Sequence, residues 1–456
     1  MMVTPSARAA TIVVDTLADT QDSTDSTTSL REAILLANST PAHDKIVFNI
    51  DNLAFGPPPH TIMVGIPPGI PLPLILYPTE IDGTSEPDYI VTGTISVVLD
   101  GTNALASNQA ALLFEPGSDG STVRGLGIQN FIADAIVFQT GDNTVELNAI
   151  EGNGGTGVVV SENKNAKIIG NLISGNGGNG IYISGVTSPL WGYCRISENA
   201  ITANAKNGVL LSSGHNSVRD NTISANGDNG IQISGSFANE NDIRGNFVGT
   251  DQNGLVLGNT NFGIVIGGSG NIIGGLGARH EGGSLGNVIA YNGKDGVRIA
   301  SGRLNTIRGN SIHGNGWLGI DLAPAGVTQN DAGQDVDTGA NDLQNYPELV
   351  FASPFGGSMV VRLKFHSNLA TAFRIDFYTN QQKDPTGYGE GQTYHHTYTL
   401  TTPALPHTIL ADVTMPSAPM GYYITATATD QLGNTSEFSN AVQNGSRVRG
   451  NEPPNP

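Results

Sequence analysis

A short unit, N-x-[IV]-x-x-N-x-x-x-G-[IV]-x-[IVL], recurs along the middle of the chain and constrains the fold more than any other feature. It runs from Asn148 through Ile150, Asn153 and Gly157 to Val160, and returns from Asn171, Asn199, Asn221, Asn287 and Asn310. The steps are 23, 28 and 22 residues over the first four copies and 23 between the last two, with a looser pair of units over 246–273. Within each unit the apolar residues alternate over only three positions, which is the period of a strand. A three-residue strand cannot stand alone, so each must pair with its equivalent one repeat away. Asn and Gly mark the corners because they tolerate left-handed backbone. The prediction is an all-β chain whose centre is a right-handed parallel β-helix, a solenoid rising about 4.8 Å per coil. Stacked corner Asn residues then satisfy turn backbone groups. Cys194 shares the inward parity of Ile196 and is expected to fill core.

The same repeat explains several motif matches. Gly152–Gly157 and Gly175–Gly180 both fit G-x-G-x-x-G, one coil apart, and neither opens a helix, so both are turns. Gly282-Gly-Ser-Leu-Gly286 fits G-x-S-x-G only as a glycine-rich loop. The formal charge of −19 disfavours phosphate backbones, so nucleic acid is not an expected partner. No apolar run is long enough for a membrane span.

The two ends depart from the repeat. Residues 11–80 are expected to cap the solenoid, with an amphipathic helix over 29–38, a Ser29/Glu32 capping box, and Leu30, Ile34 and Ala37 on one face. The solenoid is expected over 81–325, an acidic linker or loop over 326–346, an Ig-like β-sandwich over 347–445 and a disordered tail over 446–456. Ala7-Arg8-Ala9 resembles the small-residue end of a signal peptide, making 1–10 a leader remnant and the protein secreted.

This arrangement resembles bacterial secreted and surface proteins with an N-terminal CSLREA domain followed by right-handed β-helix repeats of the NosD type. The matching residues are Thr28-Ser-Leu-Arg-Glu-Ala-Ile34, Phe48-Asn-Ile50, His60-Thr-Ile62, Ile81-Asp-Gly-Thr84, Leu99–Asn103, Val248–Asp251 and Gly319–Leu322, and Ala426–Asp430 with Gly433–Phe438 for the Ig-like end module. Thr28 stands where the family usually has Cys. The resemblance implies an extracellular or cell-surface location and no single activity.

Strand parity points one residue of each Gly-[IV]-x-[IVL] segment outward: Val159, Tyr182, Leu210, Gln232, Val265, Arg298 and Asp321. The charged end of that ladder is the candidate active site. Asp295 and Asp321 are candidates for the two carboxylates of a glycoside hydrolase. Arg298, Lys294 or His313 suits a polysaccharide lyase or epimerase, which needs a base at the sugar C5 and neutralisation of a uronate. The catalytic candidates are therefore Asp295, Arg298 and Asp321. Tyr182, Gln232, Lys294, His313 and Trp317 are the substrate-binding candidates, because aromatic faces beside charged groups hold sugar rings. The competing reading is a cross-strand ion pair on a solvated face of a non-catalytic, adhesin-like surface protein. A second outward ladder, Ser197, Arg219, Arg244 and Arg308, alternates with Glu198, Asp220 and Asp242 and suggests mutual neutralisation. Asp331, Asp335, Asp337 and Asp342 lie in an oxygen-rich, glycine-containing stretch suited to Ca²⁺, the alternative being an acidic surface loop. The expected partner is an extracellular polysaccharide.

Overall fold

The computed structural model describes residues 8–445 except 23, 51, 66–68, 105–107, 162–164, 186–192, 278–284 and 333. Most of the leader remnant, the tail over 446–456 and most of the Gly282–Gly286 motif therefore lie outside the described residues. The chain forms two compact units, residues 1–238 and 239–456.

In the first unit, three-residue strands stack in parallel, in register, into three sheets. One inward column runs Ile150, Ile173, Ile201, Ile223, and another runs Val158, Ile181, Val209, Ile231. All eight side chains are fully buried. Residues one position away point the other way, so the core and the outer face are fixed by one register. Corner Asn residues form continuous ladders. Asn148 Nδ2 donates to Asn171 Oδ1 at 3.0 Å, Asn171 to Asn199 at 2.9 Å, and Asn199 to Asn221 at 2.9 Å. Each Oδ1 also accepts the backbone N–H of the preceding coil's Asn. One buried carboxamide thus satisfies groups on two coils. Cys194 is buried in the core as expected, and burial pushes its thiol up to about 12.

Stacking begins before residue 81. Thr11–Val14 pairs with Asp44–Phe48, which pairs with Thr79–Asp82. The first two strands lie outside the N-x-[IV]-x-x-N-x-x-x-G unit, so the repeat did not reveal them. The helix Leu30–Ala37 lies between the first two strands in sequence and carries the expected Ser29/Glu32 capping box. Leu30, Ala33, Ile34 and Ala37 are buried, and buried Arg31 is held by Asp19 at 2.7 Å.

The second unit repeats the three-sheet stack. Ile264, Val297 and Ile320 form one inward column, and Ile289 and Ile312 another. Two antiparallel sheets follow, from Glu348–Phe355 to Val442–Gln443, and share one core that includes Val361, Phe373, Phe377, Val413 and Ala426. They pack against the last coil. Arg308 makes a bidentate pair with Asp376 at 2.6 and 2.7 Å, so this member of the second ladder is neutralised by the sandwich and not by a neighbouring coil. Glu390 Oε1 accepts the Asn315 N–H and Nδ2, taking the place of the next Asn in the ladder Asn259, Asn292, Asn315. Ile312 and Gly391 exchange backbone hydrogen bonds at 2.9 and 2.8 Å. The last coil, an open edge that would otherwise invite pairing with other chains, is thereby capped.

Candidate functional site

Strands Ile264–Ile266, Val297–Ile299 and Ile320–Leu322 bring Val265, Arg298 and Asp321 into one register, as their spacing predicts. Arg298 Nη1 lies 2.6 Å from Asp321 Oδ2 and 3.6 Å from Asp295 Oδ2. Asp295 sits one residue before Gly296, where its Oδ1 accepts the Leu318 N–H at 2.9 Å and ties one coil to the next. The three catalytic candidates therefore meet.

They do not meet on an open face. Asp295 and Asp321 side chains are 0 % and 1 % exposed, and Arg298 only 14 %. The chain turns back after Leu322, and the Gly326 N–H caps Asp321 Oδ2 at 3.0 Å. Parity alone made Asp321 outward; the returning segment covers it. Burial raises both carboxyls, and the Asp321 charge raises Asp295 further. Asp295 Oδ2 and Asp321 Oδ1 are buried without a hydrogen-bond partner among the described residues. Two buried carboxylates around one guanidinium form a packing element with a net negative charge, which favours holding a proton between them.

Of the binding candidates, Lys294 and Trp317 come together. Their backbones are joined across the coil corner, and Lys294 Nζ stands 5.5 Å from the Trp317 ring and 5.0 Å from Phe262. Phe262 and Trp317 meet edge to face at 6.3 Å. Trp317 is 48 % exposed, so this aromatic platform faces solvent. Phe262 was missed because its coil departs from the repeat, although Asn259-x-x-x-Gly263 places it level with Asp295 and Leu318. His313 does not join the platform. It lies on another sheet, in Ser311–His313, edge to face with Tyr291 at 5.5 Å, and burial lowers its pKa. One repeat visits three faces, so nearness in sequence did not imply one face. Tyr182 and Gln232 belong to the first unit. They share the ladder Val159, Tyr182, Leu210, Gln232 with Leu210 between them, so they do not pair directly.

Asp331, Asp335 and Asp337 gather, each offering a carboxylate oxygen within 4.8 Å of the others. Burial and the neighbouring charges push Asp337 up to about 6. Asp342 does not join them; its carboxylate faces Arg303 at 3.6 Å and Asn434 Nδ2 at 3.4 Å. Ca²⁺ takes oxygen ligands of this kind. A polar cleft of about 450 Å³ nearby is lined by Tyr346, Tyr388, Lys364, Glu348 and Asn440.

The family model described as a right-handed beta helix region matches residues 110–272. The fold is a right-handed parallel β-helix. No curated protein matches the chain. Among solved structures, ORF18 of Geobacillus virus E2 is 12 % identical with a TM-score of 0.42, covering 86 % of this chain and 78 % of that one. The pectate lyase Pel9A is 15 % identical with a TM-score of 0.35, covering 68 % and 80 %. The A-module of the mannuronan C-5 epimerase AlgE4 of Azotobacter vinelandii is 14 % identical with a TM-score of 0.32, covering 66 % and 95 %. Among the described residues no helix is long and apolar enough to cross a membrane.

Proposed function

We propose that this is a secreted or cell-surface protein that binds an extended, neutral polysaccharide through the Phe262–Lys294–Trp317 platform, without catalysis by Asp295, Arg298 and Asp321. The observation that carries the reading is the exposed Trp317 ring, braced by Phe262 and with the Lys294 ammonium beside it. An apolar ring face with an adjacent hydrogen-bond donor suits a pyranose, whose C–H face is apolar and whose hydroxyls radiate outward. The charge of −19 disfavours uronate polymers. Burial argues against a catalytic role for the triad, because a general acid must reach the bond that it protonates. The three-aspartate group is proposed as a structural Ca²⁺ site.

Affinity electrophoresis through gels holding neutral or uronic polysaccharides tests the reading. Retardation is expected in a neutral gel, lost in Trp317→Ala and kept in Tyr388→Ala and Asp295→Asn. Retention that follows Tyr388 would place binding in the polar cleft and overturn the platform. Release of new reducing ends or unsaturated products, abolished by Asp295→Asn, would overturn the non-catalytic part.

A further inference from the structure

A second cluster of chemistry-bearing groups lies in the first unit, far in sequence from the platform. His60 opens the strand His60–Met63, and Glu86 and Asp88 flank Pro87 at the start of the short helix Pro87–Thr92. His60 and Glu86 are each 1 % exposed, while the Asp88 side chain is 23 % exposed. His60 Nε2 lies 3.4 Å from Asp88 Oδ2 and 3.9 Å from Glu86 Oε1. The three groups each present one ligand atom within 4.8 Å of the others.

The hydrogen bonding of this cluster is incomplete in a particular way. Glu86 Oε2 accepts the Ile50 N–H at 3.0 Å, which fixes the carboxylate plane. Its other oxygen, Oε1, is turned toward His60, is buried, and has no hydrogen-bond partner among the described residues. At 3.9 Å the imidazole nitrogen is too far to serve. A buried carboxylate oxygen left without a partner destabilises the fold. Two carboxylates beside one imidazole also carry an excess of negative charge, which one divalent cation would cancel.

We infer that His60 Nε2, Glu86 Oε1 and Asp88 Oδ2 form a binding site for a divalent transition-metal ion of the zinc type. With metal–ligand bonds of about 2.0–2.2 Å, neighbouring ligands of a tetrahedral ion stand roughly 3.3–3.6 Å apart. The observed 3.4 Å meets that spacing, 3.9 Å needs a small contraction, and all three ligand atoms lie within 4.8 Å of one another. One nitrogen and two carboxylate oxygens suit Zn²⁺ and its neighbours. The imidazole nitrogen disfavours Ca²⁺, which takes oxygen ligands. The partly exposed Asp88 side leaves the fourth position to water and gives the ion an entry path. The bound ion would clamp the strand at His60 to the turn at Glu86, fastening two segments of the first coils that no disulfide can join, since the chain has one Cys.

Metal-stripped full-length protein, titrated with Co²⁺ and followed by visible d–d absorption, tests the site, with Zn²⁺ added afterwards as competitor. One equivalent of Co²⁺ is expected to give tetrahedral-type bands that Zn²⁺ abolishes. His60→Gln and Glu86→Gln should each weaken binding more than about a hundredfold, since even groups that only support ligands cost about 10–100-fold. Asp88→Asn, on the exposed side, should weaken binding with an unchanged circular dichroism spectrum, so the test survives if the buried variants fail to fold. An Asp331→Asn/Asp337→Asn double variant should keep the bands. Absence of the bands in the wild type would overturn the assignment, as would bands that persist in Asp88→Asn or vanish in the Asp331/Asp337 variant.

Discussion

Arg298→Gln is the substitution that separates a buried charge cluster from a solvated cross-strand pair. An exposed pair contributes about 0.2–1 kcal/mol. Here both carboxylates are almost fully buried and the guanidinium is 14 % exposed, so the relevant case is removal of one partner from a buried pair, about 3–5 kcal/mol. The pH dependence follows from the direction of the carboxyl shifts. Asp295 and Asp321 are both raised above their ordinary value of 3.8, so the folded state holds their protons more tightly than the unfolded chain. The stability they contribute is present at low pH and is lost as pH rises through their folded values. Removing Arg298 raises both further. The deficit of Arg298→Gln relative to wild type should therefore be largest at pH 8 and shrink toward pH 4. Asp295→Asn retains an acceptor for the Leu318 N–H and removes one buried charge, so at pH 8 it should be neutral or stabilising. Urea unfolding followed by circular dichroism at several pH values measures all three. A loss below about 1 kcal/mol for Arg298→Gln, unchanged with pH, would refute the buried-cluster argument.

Other outcomes follow from the same geometry. Burial pushes Glu437 up to about 7 from 4.5, so its contribution to stability is present below about pH 4.5 and lost as pH rises through about 7. Glu437→Gln should flatten that part of the stability–pH curve, which thermal melts in matched buffers will show. Asn292→Ala removes a carboxamide that serves Asn259, Asn315, Val248 and Ala290; a loss of about 2–4 kcal/mol is expected in urea unfolding from two or more orphaned buried groups. Gly157→Ala would set a Cβ 2.6 Å from Ile173 Cγ2 and 2.7 Å from Gly180 O, and the backbone contact cannot yield cheaply, so the melting temperature should fall. Ca²⁺ should raise the melting temperature of wild type and leave Asp331→Asn/Asp337→Asn unmoved.

The solenoid was legible because its physics is local and repeated. Each Asn and Gly corner announces itself at the same offset, and the Ile columns follow from parity. The ladder Val265, Arg298, Asp321 was legible for the same reason. Burial of Asp321 was not, because it depends on Gly326 folding back. Nor was the capping of the last coil by Glu390 and Asp376, which lie far along the chain in another architecture. Position within a repeat also left the face ambiguous: Trp317 and His313 are four residues apart, yet His313 lies in the strand Ser311–His313 and Trp317 at the corner that follows it. Where the spacing of the unit changes, as over residues 11–80 and between Asn246 and Asn259, the pattern fell silent although the coils continue.

Calorimetric titration of a retained neutral oligosaccharide into wild type and Trp317→Ala tests the central claim most directly. Stripping the ring from the platform should cost about 1–2 kcal/mol, raising Kd roughly tenfold, with Arg298 and both aspartates intact. An unchanged Kd in Trp317→Ala would contradict the account.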